Sequence, residues 1–82
     1  MEASEESVRQ LLATFLKLPP ARLLPDTRLD ELGVDSLAAV ELIFEIEERF
    51  GVRVPSDRAA EFRSVRAIAE GVRALQAQTA GA

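Results

Sequence analysis

The sequence predicts an all-α protein, a small four-helix bundle with three main helices, one short helix and a long loop between the first two helices. Three observations support this fold class. Apolar residues recur at helical spacing in three separate segments. Proline or glycine follows the first two of these segments. The length of 82 residues limits the chain to one domain with a modest core. We expect a single domain over residues 1–82, with a core at about 4–78 and a frayed tail at 79–82.

The first helix is expected from about residue 4 to residue 17. Ser4 is a plausible N-cap, with acidic residues directly after it in the first turn. Pro19 and Pro20 should close the helix, because a residue that precedes proline avoids the α conformation. The predicted buried stripe is Val8, Leu11, Leu12, Phe15 and Leu16.

A long connection, LPPARLLPDTRLDELGV, follows at residues 18–34. A loop of this length without structure is unusual in a small domain. Its apolar residues predict that it lies back over the core. Thr27 is expected to cap a short turn through Asp30 and Glu31, which Gly33 ends in a left-handed conformation. The apolar residues are Leu23, Leu24, Leu29, Leu32 and Val34.

The second helix should start at Asp35 or Ser36 and run to Phe50, where Gly51 stops it. A helical projection places one continuous apolar arc toward the core: Ala39, Leu42, Ile43, Ile46 and Phe50. The opposite side mixes large apolar residues with carboxylates: Leu37, Val40, Glu41, Phe44, Glu45, Glu47 and Glu48. Two interpretations are equally open. The loop or another helix covers the apolar residues, or they form a docking face for a partner.

The remaining segment predicts one short helix and one long helix. Ser56 or Asp57 should cap one or two turns that reach Phe62, after a short extended piece and a proline. Ser64 should cap the last helix. Its inward residues are expected to be Val65, Ile68, Ala69, Val72 and Leu75.

The composition argues against catalysis by the chain itself. It has no cysteine and no histidine, which removes the commonest nucleophile–base pairs and metal ligands. The one lysine, Lys17, lies at the far end of the first helix, so nothing would activate Ser36 as a nucleophile. The acidic residues of the loop do not follow the spacing of a calcium loop. We therefore expect a non-catalytic protein without a metal site.

The net charge of −4 is unevenly distributed. Residues 26–48 hold eight acids and one base, whereas residues 49–73 hold six arginines and three acids. The acidic field around Ser36 should attract basic partners and repel nucleic acid and anionic membranes. No apolar run is long enough to cross a bilayer, and the N-terminus does not resemble a signal peptide. We expect a cytoplasmic monomer that binds neither nucleic acid nor membrane.

Ser36 stands where an attached anion would be stabilised. The backbone N–H groups of a first helical turn are unpaired and lie at the positive end of the helix dipole. A phosphodiester on this serine would meet those groups. Asp35 can cap the helix, which leaves the Ser36 hydroxyl exposed.

The LGVDSL segment at residues 32–37 resembles the (L)GxDSL signature of acyl carrier proteins. The similarity extends through residues 40–42, 46–50 and 54–55 to Val65, and covers nearly the whole chain. The resemblance implies that Ser36 receives 4′-phosphopantetheine from coenzyme A, with Asp35 as its motif neighbour. It also implies that partner enzymes recognise the second helix through Leu37, Val40, Glu41, Phe44, Glu47 and Glu48.

The same resemblance implies the partners and the cargo. The partners would be a phosphopantetheinyl transferase and acyltransferases, ketosynthases or ligase-type enzymes with basic docking patches. The basic C-terminal half favours a discrete carrier of polyketide or related biosynthesis. Met1 close to the first helix, without a Pro/Ser-rich linker, favours a freestanding protein. A fatty-acid carrier, an aminoacyl or peptidyl carrier, and an unmodified helical adaptor stay open as alternatives.

Overall fold

The computed structural model describes residues 3–80, with the side chains of residues 79 and 80 left out of the description. Over this range the chain forms four α-helices and no β-strand, so the predicted all-α class is confirmed. The helices are α1 (Glu5–Leu16), α2 (Ser36–Phe50), α3 (Ser56–Ala59) and α4 (Val65–Ala80). Helix α4 extends two residues into the predicted frayed tail, and residues 81 and 82 lie outside the described part.

Helix α1 begins with the predicted Ser4 cap. The Ser7 N–H donates to Ser4 Oγ at 3.1 Å, and the Ser4 N–H donates to Ser7 Oγ at 2.8 Å. This reciprocal pair satisfies two backbone donors at the start of the helix. The helix ends because Lys17 takes the left-handed conformation with φ 58°, two residues before the first proline.

The core lies between α1, α2 and α4. All five residues predicted to face inward from α4 are buried, as are three of the five predicted from α1. Phe15 and Leu16, the other two from α1, are partly buried against the same core. The largest fully buried side chains are Val8, Leu12, Leu23, Ile46, Val65, Ile68 and Val72.

The long loop packs on the core through part of its apolar residues. Leu23 and Leu29 are buried, and Leu32 and Val34 pack partly against the core. The prediction was wrong for Leu24, whose side chain is 61% exposed. Two short 3₁₀ turns, Pro20–Arg22 and Asp30–Leu32, give the loop local order.

The predicted cap of the second turn was also wrong. Thr27 Oγ1 accepts a hydrogen bond from the Leu24 N–H at 3.2 Å instead of capping the turn at Asp30–Leu32. Leu29 precedes that turn, and no side chain caps it. Gly33 ends the turn in the predicted left-handed conformation, with φ 86°.

The loop is tied to the junction between α3 and α4. The Leu29 N–H donates to the Arg63 carbonyl at 2.9 Å, and the Arg66 N–H donates to the Pro25 carbonyl at 3.0 Å. Arg66 also pairs with Asp26 at 2.9 Å on the surface. These contacts bring the loop, which leads into Ser36, against the start of α4.

Helix α3 is shorter than predicted. It ends at Ala59 rather than near Phe62, and neither Ser56 nor Asp57 caps it, because Pro55 precedes the first helical residue. Ser64 does cap α4: its Oγ accepts from the Ala67 N–H at 3.1 Å. Among the described helices, none combines the length and apolar character that a bilayer-spanning segment requires.

Adjacent leucines in the loop test how it packs. Leu23→Ala should lower the free energy of unfolding by about 2–4 kcal/mol, because it removes a fully buried side chain and leaves a cavity. Leu24→Ala should change it by less than about 0.5 kcal/mol, because that side chain is exposed. Urea denaturation followed by circular dichroism measures both. Equal losses from the two variants would contradict the packing described here.

Candidate functional site

The start of α2 separates the capping residue from Ser36. Asp35 lies before the helix with extended backbone angles, φ −88° and ψ −174°. Its Oδ1 accepts a hydrogen bond from the Ala38 N–H at 2.8 Å. Of the two starts open from the sequence, Asp35 is therefore the N-cap and Ser36 is the first helical residue.

The Ser36 side chain is exposed to solvent and has no hydrogen-bond partner among the described residues. Its hydroxyl makes no hydrogen bond within residues 3–80, and the N–H groups of Ser36 and Leu37 have no partner in that range either. An exposed hydroxyl next to two free backbone donors suits a covalently attached phosphodiester, whose oxygens accept such bonds. The chemistry of the site therefore fits an arm joined through phosphate to Ser36.

Metal binding has no support in the described structure. Across residues 3–80, no group of three or more acidic, histidine or cysteine side chains is arranged to hold a metal ion. The acids of the loop serve other contacts. Asp30 pairs with Arg28, and Asp26 pairs with Arg66.

The mixed side of α2 is open to solvent. Leu37 is 70% exposed, Val40 51% and Phe44 63%. The long loop does not cover them, so the interpretation that the loop or another helix buries these apolar residues was wrong. We call this surface the α2 face; it consists of Leu37, Val40, Glu41, Phe44, Glu45 and Glu48, all exposed.

Glu47, which the sequence grouped with the docking residues, has a structural contact. The side chain is half-buried, and its Oε2 accepts a hydrogen bond from the Val54 N–H at 2.8 Å. This bond holds the extended segment after α2. Sequence reasoning missed it because the two residues are adjacent only after the chain turns at Gly51, where φ is 65°.

The predicted inward arc of α2 is only partly correct. Leu42, Ile46 and Phe50 are buried and Ile43 is half-buried. Ala39 was predicted in the core but is exposed, because its small side chain faces open space between α2, the loop and the segment after α3.

Two adjoining cavities occupy that space. One has a volume of about 370 Å³, and we call it the polar cavity. The other has a volume of about 130 Å³, and we call it the apolar cavity. Leu29, Ala39 and Phe62 line both of them. The polar cavity is completed by Arg28, Asp30, Val34 and Arg63, and the apolar cavity by Val40, Leu42, Ile43 and Ala59.

The polar cavity carries two arginines with different partners. Arg28 Nη2 is paired with Asp30 Oδ2 at 2.8 Å. Arg63 donates through Nε to the Ala60 carbonyl at 3.0 Å, while its two Nη groups have no partner among the described residues. Arg63 therefore offers hydrogen-bond donors beside an apolar wall. Sequence reasoning did not single out Arg63, Phe62 or Leu29 as site residues.

Known proteins resemble this chain over most of its length. The family model described as "Phosphopantetheine attachment site" matches residues 6–72. An acyl carrier protein of Streptomyces coelicolor is 40% identical over 78 residues, which cover 93% of this chain and 85% of that protein. The non-reducing polyketide synthase adrD of Penicillium rubens is 32% identical over 65 residues, 79% of this chain but 3% of the synthase.

The fold is shared with a solved carrier structure. The acetyl actinorhodin acyl carrier protein from Streptomyces coelicolor superposes with a TM-score of 0.69 at 23% identity. The match covers 93% of each chain. At this identity the likeness shows the helical bundle fold alone.

Two substitutions test the role of Asp35. Asp35→Ala should lower the free energy of unfolding by about 1 kcal/mol, because the Ala38 N–H loses its acceptor. Asp35→Asn should stay within a few tenths of a kcal/mol of the wild type, because asparagine caps equally well. Asp57→Ala is the control, since Asp57 makes no cap bond in α3. Urea titrations compare the three, and equal stability of the Ala and Asn variants would contradict the assigned cap.

Proposed function

The chain belongs to the family of phosphopantetheine-bearing acyl carrier proteins, and from this premise we propose that Ser36 is the serine that bears the arm. Members of this family carry 4′-phosphopantetheine covalently on a serine and hold biosynthetic intermediates on it. They are carrier proteins and are generally non-catalytic.

The other serines of the chain are less suited than Ser36 to bear the arm. Ser4, Ser7 and Ser64 take part in the caps of α1 and α4. Ser56 starts a helix of four residues, too short for a strong dipole. Ser36 alone combines exposure, a 15-residue helix behind it and free N–H groups beside it.

The arm would supply the thiol that a cysteine-free chain lacks. Its attachment requires the Ser36 oxygen to bond to the phosphorus that bears the pantetheine chain, while adenosine 3′,5′-bisphosphate leaves coenzyme A. The serine proton passes to a base, which we place on the transferase because no described side chain of this chain hydrogen-bonds the Ser36 hydroxyl and Asp35 is occupied by the Ala38 N–H. Ser36 therefore contributes position and access, and the visiting enzyme contributes the catalysis.

We propose that the α2 face binds the partner enzymes. Leu37, Val40 and Phe44 supply apolar anchors that the fold leaves uncovered. The surrounding carboxylates suit a basic patch, which would steer the encounter. The proposed partners are a phosphopantetheinyl transferase and acyltransferase, ketosynthase or ligase-type enzymes. A docking role for Glu47 stays a prediction, since this residue already holds Val54.

The two cavities are the proposed site for the acyl cargo. Val34 and Ala39 lie two residues before and three residues after Ser36, so the polar cavity lies beside the attachment point. Leu29 and Phe62 offer apolar contact, and Arg63 offers donors to oxygen atoms. This mixed lining favours an oxygen-bearing acyl chain over a saturated one, which supports a role in polyketide or related biosynthesis. The cytoplasmic location stays a prediction.

Intact mass tests the attachment residue. After co-expression with a broad-specificity phosphopantetheinyl transferase, the wild type should gain one phosphopantetheine group and Ser36→Ala should gain none. Ser56→Ala is the matched control, because Ser56 is also exposed and also opens a helix; it should gain the group. An unmodified wild type would favour the helical adaptor, and a modified Ser36→Ala would move the site elsewhere.

Charge reversal tests the α2 face. Glu41→Lys and Glu48→Lys should each lower kcat/KM of the transferase by about two- to fivefold at low salt, because each removes one exposed charge pair. The difference should shrink at high salt, where such pairs are screened. Glu70→Lys on α4 is the control, since this glutamate is exposed but distant in sequence from the face. Unchanged kinetics with native helicity would mean that both glutamates are ordinary solvated residues without a role in docking.

A further inference from the structure

Gly71 lies inside α4 at a position where the helix gains nothing from glycine. Glycine in a helix interior costs about 1 kcal/mol relative to alanine. Its backbone does not need glycine either, since the left-handed glycines of the described chain are Gly33 and Gly51. The reason for glycine at this position must therefore lie in what surrounds it.

The surroundings are the ring of Phe62. A Cβ atom on residue 71 would overlap Phe62 Cε1 and would lie 3.1 Å from Cζ and 3.3 Å from Cδ1. These distances are shorter than a carbon–carbon contact of about 3.5–4.0 Å. The ring thus occupies the space that a side chain at position 71 would take.

The same ring is a wall of both cavities. Phe62 is 7% exposed and is one of the three residues that line the polar cavity and the apolar cavity alike. The ring therefore contacts α4 at Gly71 and also bounds both cavities. A group added at Gly71 would push the ring away from α4, and the cavities that the ring lines are adjacent open space.

We propose that Gly71 determines the length of the acyl chain that the two cavities accept. Because residue 71 has no side chain, the Phe62 ring can lie against α4 and leave the cavities open. Gly71 is a positioning residue that acts through Phe62, and it need not touch the cargo. This inference rests on the proposed function of the two cavities. It predicts that alanine at position 71 displaces the ring into the cavities and shortens the acyl chain they accept.

The test loads two series of acyl-phosphopantetheine arms of increasing length onto Ser36, one saturated and one bearing hydroxyl groups, using acyl-coenzyme A and the transferase. The rate at which hydroxylamine cleaves each thioester, relative to the same acyl-coenzyme A, reports how well the protein encloses the chain. A buried methylene contributes about 0.8 kcal/mol, or about fourfold in an equilibrium constant. Gly71→Ala should therefore lose protection about fourfold for each methylene that no longer fits, with short chains unaffected.

Three further variants separate this effect from a general loss of stability. Phe62→Leu should extend protection to longer acyl chains, because the smaller side chain enlarges the cavities. Phe62→Leu/Gly71→Ala should recover protection that Gly71→Ala loses, because the smaller side chain no longer meets the added methyl group. Glu70→Ala, at an exposed neighbour on α4, should leave the length profile unchanged.

A crystal structure of Gly71→Ala provides a readout that does not depend on the arm. The Phe62 ring should lie closer to Ala39 than in the wild type. A ring that stays in place, or an unchanged length profile in a folded Gly71→Ala, would overturn the proposed role of Gly71. The proposed cargo site would still stand. A wild type whose thioesters are cleaved as fast as acyl-coenzyme A at every length would instead overturn the cargo site itself, and this inference with it.

Discussion

Two main-chain hydrogen bonds, from Leu29 to Arg63 and from Arg66 to Pro25, hold the surroundings of Ser36 together. The loop at residues 18–34 contains short turns and no long helix, so these bonds, together with the buried Leu23 and Leu29, fix where it lies. They place Leu29 near Phe62, and these two residues line both cavities. The position of α2 above the cavities follows, because Gly33 turns the end of the loop directly into Asp35 and Ser36.

In helix α2 the capping and core residues are distinct from Ser36, the proposed attachment residue. Its buried side, with Leu42, Ile46 and Phe50, belongs to the core. Its first turn is capped by Asp35, so the side chain of the adjacent Ser36, the proposed attachment residue, has no hydrogen bond to lose on modification. A carrier gains the arm and then holds different intermediates on it in turn. This division lets those changes occur without altering the bonds that define the helix.

The sequence could predict features that depend on near neighbours. Helix periodicity, the caps at Ser4 and Ser64 and the left-handed glycines all follow from local rules. Leu24, Thr27 and Ala39 were misassigned because their surroundings depend on the path of the loop. The two cavities could not be predicted, because their lining residues come from three segments that are distant in sequence. A glycine inside a helical pattern was the one local signal of the contact between α4 and Phe62.

As the proposed docking surface, the exposed apolar residues of the α2 face would also set a timescale for the complexes with partner enzymes. The six residues of the α2 face are far fewer than the roughly 20–30 residues that each partner contributes to a stable interface. Interfaces of related kind differ mostly in how fast they dissociate, so a small one releases quickly. An enzyme with a typical turnover of about 10 per second leaves about 0.1 s for each visit. A larger apolar face would prolong residence and make departure, rather than chemistry, limit the flow of intermediates.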